Sequence, residues 1–392
     1  MERNYKSNIL KYYIFSFILG IHTVRAVYTP YMIIWGGITF FQMMLLQSYF
    51  TAMIVILEIP SGAIADYLGR KTALVLSALS IAIAAYIYSS IPNFYIFMLA
   101  ETFWALGVSL MSGTNQAFLY VSLKSYGEEE NLSKTFGRVQ SLNLIALTIS
   151  APIGSIIAEF VSLQFTMRCL AFIYTTAFIF SFTFKEPKLV DNGYRRENYF
   201  VIIKSGFKEL KNNKILRTLA LDWIPISVLI MFLFWTYQVY FETIHIPILF
   251  FGFILIFMNL TNVIFTNIIP KWLKHSSNKK KFLLVINIIN GFAYLLLGIT
   301  TFIPLGLAII LTIVAFGYTR YLIFINGINS QIDSKNRATV LSTINMFSSL
   351  IRAILYPFIG ILVELNVFFV FIITGILILF LSIFTKSKSE FL

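Results

Sequence analysis

The sequence predicts an all-α polytopic membrane protein, twelve transmembrane helices arranged as two pseudo-symmetric six-helix bundles, and three observations carry that prediction. The first is composition. Of the 392 residues, 58% are hydrophobic and only 12% are charged, and the mean hydropathy is +0.82, whereas a soluble domain carries roughly 25% charge. The second is spacing: apolar runs of about 20 residues, each long enough to cross roughly 30 Å of hydrocarbon, recur from Ile9 to Phe384 with short polar punctuation. The third is an internal offset of 205 residues, which lays Pro357 on Pro152, Glu364 on Glu159 and the loop at Asn267 on the loop at Gly62.

The elements follow from the punctuation. Span 11–30 comes after the basic start "MERNYKSNIL"; 40–63 and 72–90 flank the turn at Arg70; 94–119 and 137–160 flank Lys124. Spans 164–184 and 217–241 lie on either side of the longest polar interval, 185–216. Spans 247–270 and 282–300 flank Lys274, 303–327 and 339–363 flank Lys335, and 366–385 completes the set. Within the long interval, Phe200, Ile203, Phe207 and Leu210 share one helical face, the pattern of an interfacial helix. The expected organisation is therefore an N-terminal bundle at 1–184, a cytoplasmic linker at 185–216 and a C-terminal bundle at 217–392. Parallel repeats of this kind enclose a central cavity in one large transporter class.

Charge sets the orientation. If both termini are cytoplasmic, the cytoplasmic segments hold 26 of the 30 Lys and Arg, and the outer loops hold none. The remaining four, Arg25, Arg168, Arg320 and Arg352, fall inside spans. This is the positive-inside pattern, so the net charge of +13 is a topology signal. It does not read as a nucleic-acid footprint, because no basic patch is interleaved with stacking aromatics on a polar face. No small-residue cleavage site follows the first apolar run, which reads as a retained helix.

"LEIPSGAIADYLGRK", at the junction of the second and third helices, resembles the loop motif of the major facilitator superfamily, G-x-x-x-D-x-x-G-R-[KR], together with a branch carrying Glu-x-Pro-[ST]-Gly just upstream. "MSGTNQAFLYVSLK" in helix four and "NRATVLSTINMFSSL" entering helix eleven are similar to the same branch, and the resemblance spans essentially the whole chain. It implies a conformational latch at Gly62, Asp66, Gly69, Arg70 and Lys71 that stabilises the outward-open state. The equivalent second-half stretch has Lys271 where Asp66 stands, so the latch is expected on one side.

The resemblance also implies secondary active transport of a small organic solute by alternating access, by a functional monomer in the plasma membrane with no cofactor. The branch is assigned to drug and metabolite efflux, and the coupling ion is expected to be H+. Helix five carries only "SAPIGSII" in place of the fuller antiporter pattern, and helix four lacks a basic residue, so proton coupling needs another carboxylate.

Charges inside helices are costly in lipid unless they face water or a partner, which makes each a functional candidate. Arg25 and Glu101 both lie roughly 10 Å below the outer surface, and Asp222 and Arg320 share the cytoplasmic third, so each couple can pair across helices one, four, seven and ten. Each pair reads equally as a structural ion pair. Glu101, Glu58 and Asp222 are the candidates for proton coupling. Arg352 lies near the midplane, with Asn345, Ser348 and Tyr356 on its helical face, and suits a carboxylate or phosphate on the substrate. His22, Arg25, Asn115 and Arg320 complete the expected cavity set.

Other classes lack a framework. His22, His245 and His275 stand on separate segments without HExxH spacing, Cys169 has no evident partner, no P-loop exists, and no channel filter is visible. Proton-coupled uptake of an organic anion or nutrient stays open as the alternative, as does a non-transporting lipid-binding or receptor-like protein.

Overall fold

The computed structural model describes residues 5–187, 199–332 and 337–392, without the side chains of Asp66, 199–205 and 337–338. The turn expected at Lys335, most of the linker and the faces of Phe200 and Ile203 lie outside the described residues. Regular structure among those residues is helical throughout. Eleven helices are long and apolar enough to cross a membrane: Lys6–Trp35, Phe40–Ala65, Arg70–Tyr88, Phe94–Lys124, Glu129–Phe160, Leu163–Ser181, Lys214–Thr243, Ile248–His275, Lys279–Leu297, Ile303–Ser330 and Thr339–Leu365. The twelfth, Val367–Ile383, has 17 residues, the lower end of the range of about 17–25 that spans a bilayer. They are numbered here as spans 1 to 12. Tyr199–Asn212, expected as an interfacial helix, is helical; Leu210 is buried and Phe207 meets the Phe347 ring at 6.0 Å.

A period of three runs through the spans. Spans 1, 4, 7 and 10 are broken: at Ile21–Val24 and again by a π turn at Tyr31–Trp35, at Gly113, at Phe232, and by a 3-10 turn at Tyr318–Arg320. Spans 2, 5, 8 and 11 are continuous helices of 29, 29, 25 and 29 residues, each holding one proline, Pro60, Pro152, Pro270 and Pro357. Spans 3, 6, 9 and 12 are short, at 19, 19, 19 and 17 residues, and hold none. The offset of 205 reappears in the helices, because Leu132–Phe160 and Arg337–Leu365 have equal length with their prolines at equivalent positions. An internal proline removes one backbone donor and bends a helix without ending it.

Starts are set by local chemistry. Thr39 and Gln42 form a reciprocal capping box before span 2. Asn93, Ser162, Asn213, Asn278 and Asn366 each accept a backbone N–H of the helix that follows. Each such cap contributes about 1 kcal/mol.

The chain forms two compact units, Met1–Arg195 with Ile248–Ile256, and Arg196–Pro247 with Phe257–Leu392. In the first, Tyr12, Phe15, Leu74, Phe118, Val139 and Phe184 form a core cluster. Span 5 passes so close to the break in span 1 that a Cβ on Gly154 would collide with the Thr23 carbonyl, the close approach that glycine permits between membrane helices. The break leaves backbone groups that side chains then satisfy: Ser150 Oγ accepts from His22 N at 2.9 Å.

Each unit also folds its end back onto its beginning. The Asn8 side chain donates to Lys185 O at 2.9 Å and accepts from Lys185 N at 3.0 Å. In the second unit Asp222 Oδ2 accepts from the backbone N–H groups of Lys386 and Ser387 at 2.9 and 2.6 Å.

Candidate functional site

Glu101, on the first helix of broken span 4, is 4% exposed. Its Oε1 accepts from the Tyr88 hydroxyl at 2.5 Å and from Gln47 Nε2 at 3.2 Å. The Gln47 amide also donates to Tyr28 OH at 3.3 Å, and Tyr31 OH donates to Tyr88 O at 2.6 Å. Spans 1, 2, 3 and 4 thus meet at one carboxylate. Arg25 is not among its partners, which corrects the expected pair. Depth along a continuous helix placed the two at one level, but span 1 breaks at Ile21–Val24 and Arg25 opens a 3-10 turn, so the helical azimuth does not carry through. Tyr28 arrives beside Gln47 instead. Sequence reasoning missed Tyr88, the last residue of span 3.

His22 sits at the same break, its ring 5.9 Å from Trp104 and 6.4 Å from Tyr174, and its Nδ1 is buried without a hydrogen-bond partner. Asn115 lies just past the Gly113 break and accepts from Tyr12 OH at 2.5 Å. Glu58 is half-buried and accepts from Ser112 Oγ at 3.4 Å. Asn115 and, through Ser112, Glu58 lie where span 4 is interrupted, whereas His22 sits at the break in span 1.

The motif at the end of span 2 is not a loop. The helix runs on to Leu68, carrying Gly62 and Asp66 within it, and the turn is the single residue Gly69, with φ 94° and ψ 160°. Residues 61–68 hold no helix breaker other than Gly62, so only the backbone reversal at Gly69 stops the helix. The Asp66 side chain lies outside the described residues. The next helix starts at once with Arg70, and its exposed N–H groups are met from afar: Glu186 Oε1 accepts from Arg70 N and Oε2 from Lys71 N, both at 2.8 Å. A carboxylate there satisfies two orphan donors and faces the positive end of the helix dipole. Arg70 donates to Ala117 O at 3.1 Å, a contact with span 4. Glu186 was missed; its signal is the "FKEPK" that follows the sixth span. In the second unit the corresponding start at Lys279 has Ser389 Oγ accepting from Lys279 N at 2.8 Å.

Arg320 is fully buried in the second unit. Its Nε donates to Asn287 Oδ1 at 2.8 Å, its other nitrogens reach Trp223 O, Ser227 Oγ and Asp222 O at 3.0, 3.2 and 2.7 Å, and it lies 4.8 Å over the Phe324 ring. It therefore takes the main-chain carbonyl of Asp222, not its carboxylate. The expected Asp222–Arg320 ion pair is replaced by two separate networks, since the carboxylate is filled by Lys386 N, Ser387 N and Ser387 Oγ. With its donors engaged by protein, Arg320 is not presented to a substrate in this conformation.

Arg352 differs. Its guanidinium donates to Ser348 Oγ at 3.0 Å and Ser349 Oγ at 2.8 Å, both on its own helix, and no carboxylate pairs with it among the described residues. Tyr356 is buried against the rings of Phe232 and Trp235 at 6.1 Å each, beside the break in span 7, and Asn345 is exposed. The expected stripe thus splits into a hydroxyl-held cation and an aromatic contact. Ser349 was not anticipated.

The model of the Major Facilitator Superfamily matches residues 8–354. The chain belongs to this superfamily. Comparison with curated proteins gives no match. Solved structures share the fold at low identity. The nucleoside transporter NupG aligns at TM-score 0.78 and 15% identity over 97% of this chain and 98% of its own. A D-xylose-proton symporter aligns at 0.70 and 12% over 98% of each chain. A bacterial homologue of the human lysosomal transporter Spinster, inward-facing and unoccupied, aligns at 0.71 and 12% over 100% of this chain and 96% of its own. As a major facilitator protein this chain is a multi-pass transporter that works by alternating access, and not an enzyme. Transporters can build sites at membrane depth from discontinuous helices, and spans 1, 4, 7 and 10 are interrupted.

Proposed function

We propose that this transporter exports a small organic solute, a drug or metabolite, in exchange for protons, as a monomer in the plasma membrane with both termini cytoplasmic. One observation carries the coupling: Glu101 is buried in an interrupted span and held by a phenol and an amide, with no cation. A carboxylate so placed keeps its partners in either protonation state, because Tyr88 OH and the Gln47 amide can each donate to it or accept from it. The outward direction rests on the sequence "EIPSG" at 58–62 and its resemblance to an export branch. The latch residues Gly62, Asp66, Gly69, Arg70 and Lys71 are assigned to holding one state closed on the cytoplasmic side. Unrelated cargoes share this fold, so the solute is chosen by side chains.

The test uses proteoliposomes with an imposed pH gradient. Glu101→Gln is expected to abolish concentrative transport while leaving solute exchange intact. If the variant still concentrates solute in response to the gradient, the proton is carried elsewhere, with Glu58 and Asp222 next in line.

Uptake of an organic anion is a second reading, and Arg352 favours it: a guanidinium held by serine hydroxyls keeps its charge available to a carboxylate or phosphate.

A further inference from the structure

A cavity of about 500 Å³ lies in the first unit, away from all the charges discussed above, between the start of span 1, the end of span 4 and the start of span 5. Its walls are two matched helical faces. Span 1 contributes Lys6, Ile9, Leu10 and Tyr13, and span 5 contributes Asn131, Lys134, Thr135 and Arg138, both at i, i+3, i+4 and i+7. The connection between spans 4 and 5 supplies Tyr126 and Glu128.

The electrostatics favour a phosphate. Three cations, Lys6, Lys134 and Arg138, face one carboxylate, Glu128, which is engaged by Asn131 Nδ2 at 3.5 Å. Lys134 and Arg138 make no ion pair among the described residues. Glu129 and Glu130 stand in the 3-10 turn just before Leu132 and are not among the lining residues. Burial, with help from Glu128, raises the Tyr126 phenol above its ordinary value, which keeps its hydroxyl a donor.

The shape favours a lipid over a free ion. The volume is that of a small-molecule pocket, far more than a phosphate ion fills, and Ile9, Leu10 and Leu123 line part of it. Leu10 is 64% exposed and Ile14, one turn on, 42% exposed, so an apolar strip leads away from the basic mouth along span 1.

We propose that this cavity binds the headgroup of an anionic phospholipid from the adjoining leaflet, its phosphate on Lys6, Lys134 and Arg138 and an acyl chain along Leu10 and Ile14. Juxtamembrane cations are the residues that hold such headgroups.

The purified full-length chain, delipidated and titrated with phosphatidylglycerol under native mass spectrometry, tests this. A saturable lipid adduct is expected, and Lys134→Gln with Arg138→Gln should weaken it by about tenfold or more. Lys271→Gln with Lys274→Gln, in the second unit, should leave it unchanged. Both pairs are surface positions, and an unaltered melting temperature confirms that the variants fold. Leu10→Asn should weaken the lipid while sparing any binding of glycerol 3-phosphate. Wild-type affinity in the Lys134/Arg138 variant, or equal binding of phosphatidylcholine or phosphatidylethanolamine, overturns the proposal. So does displacement of the lipid by glycerol 3-phosphate or inorganic phosphate at comparable concentration, which would make this a site for a soluble phosphate.

Discussion

Two arginines inside spans have opposite surroundings, and the difference predicts opposite failures. Arg320 is enclosed by one amide oxygen, one hydroxyl and two carbonyls. Replacing it with Gln strands several of these acceptors in a buried site, at a cost of roughly 3 kcal/mol or more. Arg352 leans on two serines of its own helix, so Arg352→Gln strands nothing that cannot turn elsewhere. In detergent, Arg320→Gln is therefore expected to melt well below the wild type, and Arg352→Gln close to it. Transport should report the reverse for Arg352: if the solute is an anion, Arg352→Lys raises KM about tenfold or more, because the ammonium lacks the planar fork. Normal KM in both Arg352 variants removes the anion reading. The candidates themselves were legible in the sequence, since a charge within an apolar run stands out. Their partners were not. Counting residues fixes the height of a side chain on a straight helix, but spans 1 and 10 break beside Arg25 and Arg320, and past a break the azimuth is lost.

At the scale of an element, the junction of spans 2 and 3 rests on one backbone angle and one distant carboxylate. Gly69 holds φ 94° and ψ 160°, a region essentially closed to residues with a side chain, and a Cβ there would sit 2.9 Å from the Glu186 carboxylate. Gly69→Ala is expected to cost about 1–3 kcal/mol of strain. Glu186→Gln should cost less, about 1 kcal/mol, because one amide oxygen still accepts while the charge facing the helix start is lost. Melting temperatures should rank wild type, Glu186→Gln, Gly69→Ala, and hydrogen exchange at Arg70 and Lys71 should quicken in both variants; an unchanged exchange rate in Glu186→Gln would remove the cap from the account. "ADYLGRK" announces the turn, so the need for Gly69 could be read in advance. Glu186 could not, because it lies more than a hundred residues away and only the packing of span 6 brings it back.

Over the whole molecule, hydropathy foretold the spans and the 205-residue offset foretold the matched helices, because both are written in residue types that recur along the chain. The sorting into broken, long and short helices was less visible. Breaks at Gly113 and Phe232 depend on what packs around them, and Phe232 is not a residue that interrupts a helix by itself. The return of each end to its own beginning has a consequence for the covalent chain. Asn8 holds Lys185 and Asp222 holds Lys386 and Ser387, so every one of these ties lies on one side of residues 190–195. The peptide bonds there should be dispensable. Two polypeptides, 1–190 and 195–392, made together in one cell are expected to assemble into a working carrier, with uptake or export measured in vesicles from cells expressing both or either piece. Failure of the pair to transport, with each piece present in the membrane, would mean that the connecting strand takes part in the cycle.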